Sequence, residues 1–167
     1  LHVCVEESIP LTPIKLEMYR GDSFQVVVEK PEYALVIAIA LRAKLKAETP
    51  NGQKLWDARL AVGVGEISFK SDNIVTSDGE AFRLSGHSFD HIGKKRLSIS
   101  TPWPDFNTNI ELVTRFADDL ITSWTAKQAR VVYQSMLFPK LQKDLAEELG
   151  MTRQNFNYHW SSARGQL

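Results

Sequence analysis

The stretch "LQKDLAEELGMTRQNFNYHWSSARG", residues 141–165, carries the strongest structural signal in the chain. Counting from Gln142, a small residue (Ala146), a glycine (Gly150) and an apolar residue (Phe156) occupy the fifth, ninth and fifteenth places. In two crossed helices these are the places of the close contact, the left-handed turn and the core anchor. The stretch therefore predicts a helix-turn-helix, with helices at about 141–149 and 152–163.

Polar side chains gather on the second helix of this predicted motif. Thr152 is a natural N-cap. Arg153, Gln154 and Asn157 suit base edges, because arginine pairs with guanine and glutamine or asparagine pairs with adenine. The N-terminal part of such a helix is the part that enters the major groove. The candidate DNA-binding residues are Thr152, Arg153, Gln154, Asn157, Tyr158 and Arg164.

The charge of the chain is asymmetric, although its net value is zero. Residues 124–167 carry six basic and three acidic side chains, whereas residues 1–123 carry fourteen basic and seventeen acidic ones. A basic tail favours phosphates, and chance together with solvated helix surfaces is the alternative explanation. Because the excess of positive charge is small, we expect binding to DNA by dimers or larger assemblies.

The helical tail resembles the tetrahelical helix-turn-helix of LuxR-type regulators and of the promoter-reading domain of sigma factors. "WTAKQARVVYQSML", residues 124–137, supplies the supporting helix, and His159 occupies the place of the histidine in the pattern of those families. The resemblance implies double-stranded DNA as the partner. A trihelical unit of this kind also serves as a protein-docking or dimerisation module, and that alternative stays open.

The first half of the chain alternates between strand and helix signals. "YRGDSFQVVV", residues 19–28, predicts a turn between two strands, and "KPEYALVIAIALRAKLKAE", residues 30–48, predicts a helix that begins near Pro31. Three of its basic residues are expected to point outward: Arg42, Lys44 and Lys46. Residues 57–69 predict a strand with period two, whose glycine-rich side allows a helix, a backbone or a ligand to approach closely.

The next segments lead to the expected domain boundary. Ser77 and Glu80 form an S-x-x-E capping box for a helix running to about Asp90, and residues 96–100 predict a short strand. "TPWPDFNTN", residues 101–109, reads as a linker, and helices follow at 110–123 and 126–137. We therefore predict an α/β domain at 1–100, a linker at 101–109 and a helix-turn-helix domain at 110–167.

The order of these motifs resembles the nucleotidyl-cyclase and GGDEF superfamily and, more closely, the SatD family of bacterial proteins. "YRGDSFQ", "DARLAVGVGE", "SDGEAF", "RLSISTPW" and a terminal helix-turn-helix occur in that family in this order. The resemblance implies an α+β fold, with a ferredoxin-like antiparallel sheet of the nucleotidyl-cyclase type before an all-α domain. It also implies that the chain lacks its natural beginning, where that family has a further Gly-Asp motif.

The same resemblance supplies the candidate ligand residues of the first domain. It implies that Asp22 helps to hold a metal ion, with turn formation as the alternative role, and that Arg20 and Asp78 contact a nucleotide. The cofactor is not determined, and a divalent ion such as Mg²⁺ belongs to the full-length protein. Arg83 and His87 stand where cyclases have an N-x-x-x-R pair, so this pattern is not kept. The missing second carboxylate argues against catalysis, although the sequence does not decide whether the chain is an enzyme.

The composition excludes several classes of protein. No apolar run approaches the roughly 20 residues of a membrane helix, the single cysteine (Cys4) cannot form an internal disulfide, and the first residues do not resemble a signal peptide. These features predict a cytoplasmic protein without a membrane partner. They also argue against Arg20-Gly21-Asp22 as a cell-adhesion tripeptide.

The sequence thus predicts a bacterial DNA-binding transcriptional regulator of the SatD type. Its first domain would be a non-catalytic body for sensing or dimerisation, with a nucleotide ligand and a homodimer left open. The alternatives are a metal-dependent nucleotide-binding or nucleotide-processing enzyme and a non-catalytic interaction module. His87 and His91 have metal-ligand spacing but no third ligand, so they are expected to be surface residues. Three tryptophans are expected to pack at the boundary and in the terminal core: Trp103, Trp124 and Trp160.

Overall fold

The computed structural model describes residues 14–19, 23–68 and 78–165, with the backbone alone for the first of these segments. Four strands and six helices lie in these ranges. They are β1 (Ile14–Tyr19), β2 (Ser23–Val28), α1 (Ala34–Ala47, after a 3₁₀ turn at Pro31–Tyr33), β3 (Leu60–Gly63), α2 (Glu80–Asp90), β4 (Leu97–Ser100), α3 (Pro104–Ser123), α4 (Ala126–Leu137), α5 (Gln142–Glu148) and α6 (Arg153–Ser162).

The first two strands form the predicted antiparallel pair. Their register runs from Ile14 opposite Val28 to Tyr19 opposite Ser23. The predicted Gly-Asp turn between the two strands, residues 20–22, lies outside the described residues. The helix predicted near Pro31 is confirmed, since a 3₁₀ turn begins there and continues into α1.

The strands β3 and β4 pair in parallel and are connected through α2. A helix that returns the chain to the starting end of a sheet makes the second strand run in the same direction as the first. The glycine-rich side of β3 admits this helix: a Cβ at Gly63 would lie 2.1 Å from the carbonyl oxygen of Ala81. The close approach predicted for that side of the strand is thus made by a helix. The sequence predicted a strand over residues 57–69, but β3 is shorter and ends at Gly63.

The predicted fold class is wrong in its sheet. The expectation was one ferredoxin-like antiparallel sheet, but the strands of the described segments form two separate two-stranded sheets, β1–β2 and β3–β4. The class is α+β, and only the first pair is antiparallel. The physical reason is that each strand pairs with its neighbour along the chain. A tight turn gives an antiparallel pair, and a helical crossover gives a parallel one.

The start of α2 differs from the predicted capping box. The N-cap residue is Gly79, without a side-chain cap hydrogen bond, and the helix begins at Glu80. Ser77 lies outside the described residues. The helix ends at Asp90 as predicted, and Ser88 joins it to β4 through a 2.7 Å hydrogen bond with the hydroxyl of Ser98.

The chain divides into two compact units. One consists of residues 1–38 and 59–119, and the other of residues 39–58 and 120–167. The helix α3 begins at Pro104 rather than at residue 110, so most of the predicted linker is helical. Thr101 and Asn107 stabilise this start, because the Asn107 amide accepts from the Thr101 N–H at 2.9 Å and donates to the Thr101 carbonyl at 2.7 Å.

The second unit contains a buried charge cluster that the sequence did not predict. Arg42 and Lys46, expected to point outward, are 0% and 2% exposed. Arg42 donates from Nε and Nη2 to the two carboxylate oxygens of Asp57, each at 2.9 Å, and also from Nη2 to the Thr122 hydroxyl at 2.9 Å. The ammonium of Lys46 lies 3.5 Å from Asp57 and donates to the Thr122 carbonyl. Partners on two other segments therefore hold both cations inside the unit.

Candidate nucleic-acid interface

The turn between α5 and α6 has the predicted geometry. Gly150 adopts a φ of +64°, in the left-handed region where a side chain would be strained. The Met151 N–H donates to the Ala146 carbonyl at 2.9 Å, and the Gly150 N–H donates to the Glu147 carbonyl at 3.0 Å. These two bonds form a Schellman motif, which satisfies the last carbonyls of α5 and redirects the chain. The helix-turn-helix arrangement predicted from residues 141–165 is present.

A small apolar core holds the three terminal helices together. Phe156, the predicted anchor of α6, is completely buried. Its cluster consists of Val131, Leu145, Ala146 and Phe156, against which Phe138, Leu149, Met151 and Trp160 pack. A single aromatic side chain at this place fixes the rotation of α6 about its axis. Gln154 and Tyr158 are consequently turned away from this core and exposed.

Both ends of α6 are anchored. The Thr152 hydroxyl accepts a hydrogen bond from the Asn155 N–H at 3.2 Å, as expected of an N-cap. Beyond the other end, the indole N–H of buried Trp124 donates to the Ala163 carbonyl at 3.0 Å. Trp124 lies just before α4, whose own N-cap Thr125 forms a capping box with Gln128. The orientation of α6 is thus set by hydrogen bonds as well as by packing.

The predicted base-reading residues lie on one exposed face of α6. Arg153, Gln154 and Tyr158 are exposed, and Asn157 is partly exposed. With about 100° of rotation per residue, Gln154 and Tyr158 point away from Phe156 and Trp160, whereas Arg153 and Asn157 lie on the flank nearer to Trp160. The donors and acceptors of these four side chains lie at the N-terminal half of the helix, the half that enters a groove in helix-turn-helix proteins.

The last two candidates flank this face. Thr152 is exposed at the N-cap, where its hydroxyl is engaged by the backbone of α6. Arg164 is exposed beyond the C-terminal end, with a φ of +55°. An arginine at that end suits a backbone phosphate better than a base edge, because the far end of such a helix rises out of the groove.

Charges around the motif are mixed. Lys143 and Arg153 are exposed cations, and Asp144 and Glu147 are exposed anions. Glu148 forms an ion pair with Lys140, which reduces its repulsion of an approaching phosphate. The local electrostatic attraction to DNA is accordingly modest, in agreement with the small excess of positive charge in the tail.

Of the candidate metal and nucleotide residues of the first domain, Asp78 alone lies in the part of the chain that the structure describes. Asp22 and Arg20 lie outside the described residues. Asp78 is exposed at the start of α2, where it accepts from the Gly79 N–H at 2.7 Å and from Arg83 at 3.0 Å. Within the described ranges, no group of three or more His, Cys, Asp or Glu side chains could hold a metal ion.

The histidine pair and the three tryptophans were not expected to form a functional site. His87 and His91 are both exposed, and His91 Nδ1 lies 2.8 Å from the His87 carbonyl oxygen, within hydrogen-bonding distance. Trp124 is buried and Trp160 packs on the terminal core, as predicted. The prediction for Trp103 is wrong, because its side chain is 57% exposed just before α3.

The sequence reasoning missed an apolar surface on α3. Large apolar side chains are exposed at Phe106, Leu112, Val113 and Phe116. Phe116 follows Leu112 and Val113 by four and three residues, and Val113 follows Phe106 by seven, a spacing that could have revealed a helical stripe. The stripe was overlooked because the helix was expected to begin at residue 110, which left Phe106 in a linker.

Comparison of the chain with known proteins gives no match. No protein-family model matches it, and neither a curated protein nor a solved structure is significantly similar to it. No helix in the described segments is long and apolar enough to cross a bilayer. The candidate interface therefore rests on the geometry of α4, α5 and α6 themselves.

Proposed function

We propose that this protein is a bacterial, cytoplasmic transcriptional regulator that binds double-stranded DNA through α6. The observation that carries the proposal is the exposed polar face of this helix, held away from a core that contains Phe156. The resemblance of the motif order to the SatD family and of the tail to LuxR-type regulators supports the same function. The proposal concerns the helical tail and assigns no chemistry to the first half of the chain.

Direct readout is supported by the types of side chain on this face. Arg153 has the planar fork that matches the O6 and N7 atoms of guanine, and the amides of Gln154 and Asn157 match N6 and N7 of adenine. Each bidentate pair of this kind discriminates against a wrong base by about 1–3 kcal/mol. Tyr158, which is 66% exposed, offers a ring for contact with a thymine methyl group or the sugar–phosphate backbone.

Affinity from phosphates alone is expected to be low. Arg164 and Lys143 are exposed near the two ends of the motif and suit phosphates. Each phosphate contact adds about 0.9 to the slope of log K against log salt. Because few such cations surround α6, we expect weak binding with a shallow dependence on salt and a preference for sites that contain two half-sites.

The test is selection of duplexes from a random pool at low salt, followed by fluorescence anisotropy on the selected sequence. The double variant Arg153→Ala plus Asn157→Ala should lose most of the preference for that sequence. The loss should be at least about tenfold in affinity relative to a scrambled duplex, because two base contacts are removed. Both substituted side chains are solvent-accessible, so the fold should be retained, which circular dichroism checks.

The control is Arg59→Ala, which removes one positive charge from an exposed residue outside the terminal unit. It should leave the sequence preference unchanged. Wild-type protein that selects no duplex, or a double variant with the same preference as wild type, would contradict the proposal. The terminal helices would then be assigned to protein docking.

A further inference from the structure

We propose that the exposed apolar face of α3 is a self-association surface, on which a second copy of this chain pairs through the same helix. The surface, called here the α3 stripe, consists of Trp103, Phe106, Asn109, Leu112, Val113 and Phe116. Its five apolar members are between 47% and 68% exposed. The inference concerns assembly and does not depend on whether α6 binds DNA.

The two sides of α3 have different roles. Asn107, Glu111, Thr114 and Asp118 face the body of their own unit. Asn107 is bonded to Thr101, Glu111 to Lys95 and Asp118 to the Arg96 N–H, while Thr114 is buried. Each residue adds about 100° of rotation about the helix axis. Around that axis, the centre of the α3 stripe lies roughly 190° from the centre of these four inward-facing residues. The stripe is thus the side of the helix farthest from its own packing.

The spacing within the stripe is that of a coiled-coil seam. Phe106, Asn109, Val113 and Phe116 are separated by three, four and three residues, which alternates the a and d places of a heptad. Leu112 widens the seam on one side, and Trp103 extends it, with its ring edge-on to Phe106 at 6.4 Å between centroids. A seam of this kind is complementary to a helix with the same repeat, and a second copy of the chain necessarily has one.

The polar residue within the seam also fits self-association. Asn109 is exposed among four apolar side chains. A polar residue within a coiled-coil seam lowers its stability, and its amide is satisfied best when a second amide lies opposite, as in a pairing of two identical helices. On a helix that merely faced solvent, no such alternation of large apolar residues with one amide would be expected.

The area of the stripe approaches that of one side of a standard protein–protein interface. Aromatic side chains bury about 150–250 Å² each, so the exposed fractions amount to roughly 500 Å² of apolar surface. Single patches of that size are at the upper end for monomeric proteins. With a polar rim, such a patch approaches the roughly 800 Å² that each partner of a standard interface contributes.

The test is sedimentation velocity of the chain without DNA over a series of micromolar concentrations. Wild-type protein should sediment as a dimer. Val113→Asp plus Phe116→Asp should convert it to a monomer and weaken association at least about 100-fold, because two buried apolar groups per copy become charged. Leu112→Lys, on the other edge of the stripe, should also weaken the dimer. Circular dichroism should show that each variant keeps its helical content, since all three positions are exposed.

The matched control is Leu141→Asp, which replaces an even more exposed apolar side chain, 73% exposed, outside the stripe. It should leave the dimer intact. Asn109→Ile should tighten association, because a polar residue of the seam becomes apolar. A wild-type chain that sediments as a monomer, or a dimer that withstands both sets of stripe variants, would overturn the proposal whatever the result with DNA.

Discussion

The helices α6 and α1 both carry basic side chains, yet the arginine of α6 is exposed and the arginine of α1 is buried. On α6, Arg153 and Gln154 are exposed, as expected of candidate base-reading residues. On α1, Arg42 and Lys46 were expected outside but are buried against Asp57 and Thr122. Helical spacing correctly predicts the outer face of a helix with one apolar side. It is not sufficient for a helix that is covered on several sides.

The difference has a physical basis in the surroundings of each charge. An arginine can be buried where a carboxylate and a hydroxyl satisfy its donors, because the unpaired charge would be far more costly. Asp57 provides that carboxylate from a segment ten residues beyond the end of α1. Around α6, the core cluster contains apolar side chains only, so its polar residues stay in water.

The largest expected effect tests whether the α1 cluster depends on its carboxylate. Asp57→Ala leaves Arg42 and Lys46 buried without this counter-charge. The free energy of unfolding should fall by about 3–5 kcal/mol, as for other broken buried ion pairs. Urea denaturation followed by circular dichroism measures the change.

The matched control uses the exposed pair of the same helix. Lys44 and Glu48 lie one turn apart at 3.1 Å, with both side chains in contact with solvent. Glu48→Ala should cost no more than about 0.5 kcal/mol. If both variants lost the same stability, burial of the charges would not be the cause, and the contrast between α1 and α6 would disappear.

An intermediate effect is expected from acid. Burial tends to raise the pKa of the Asp57 carboxyl, but the hydrogen bonds from Arg42 and the charges of Arg42 and Lys46 outweigh it, and the pKa lies below its usual value of 3.8. A lowered folded-state pKa gives stability that is complete above the unfolded-state value. That stability is lost as the pH falls through the folded-state value.

Unfolding free energies measured at a series of pH values should therefore decline for wild type as the pH drops below about 4. The isosteric variant Asp57→Asn has no titrating group here, so it should show a shallower decline although it is less stable throughout. Equal slopes for the two proteins would show that this carboxyl is not the group responsible.

The smallest effect concerns the turn that positions α6. Gly150→Ala forces a side chain into the left-handed region and should cost about 1–2 kcal/mol, although nothing lies within 4 Å of the added Cβ. Gly86→Ala is the matched control, since Gly86 also has open space but lies inside α2. It should stabilise the protein by about 0.5–1 kcal/mol. Thermal melts of the two variants should shift in opposite directions.

The strand pairing shows how far local signals reach. The hairpin β1–β2 was predictable because only three residues separate its two strands along the chain. The arrangement of all strands in one antiparallel sheet was wrong, because β3 and β4 pair in parallel around α2. Residue patterns along β3 indicate that a helix can approach at Gly63. They contain no information on which strand pairs with β3.

The candidate interface was largely accessible to prediction, whereas the α3 stripe was not. Ala146, Gly150, Thr152 and Phe156 each have a local role that residue type reveals. The stripe depends on where α3 begins, and two prolines near residue 103 suggested a linker. Proline is tolerated in a first helical turn, and Asn107 closes this start onto Thr101, so the helix extends further back than the composition indicated.

The amino-acid order alone determined the elements whose partners are close along the chain: the N-cap of α6, the glycine turn at Gly150, the hairpin strands and the exposed positions of α6. Tertiary structure decided which side chains of α1 are buried, how β3 and β4 pair and which side of α3 is left uncovered. The physical reason is that caps and turns are satisfied within a few residues. Burial of a charge, and pairing of a strand, depend on groups brought together only when the chain folds.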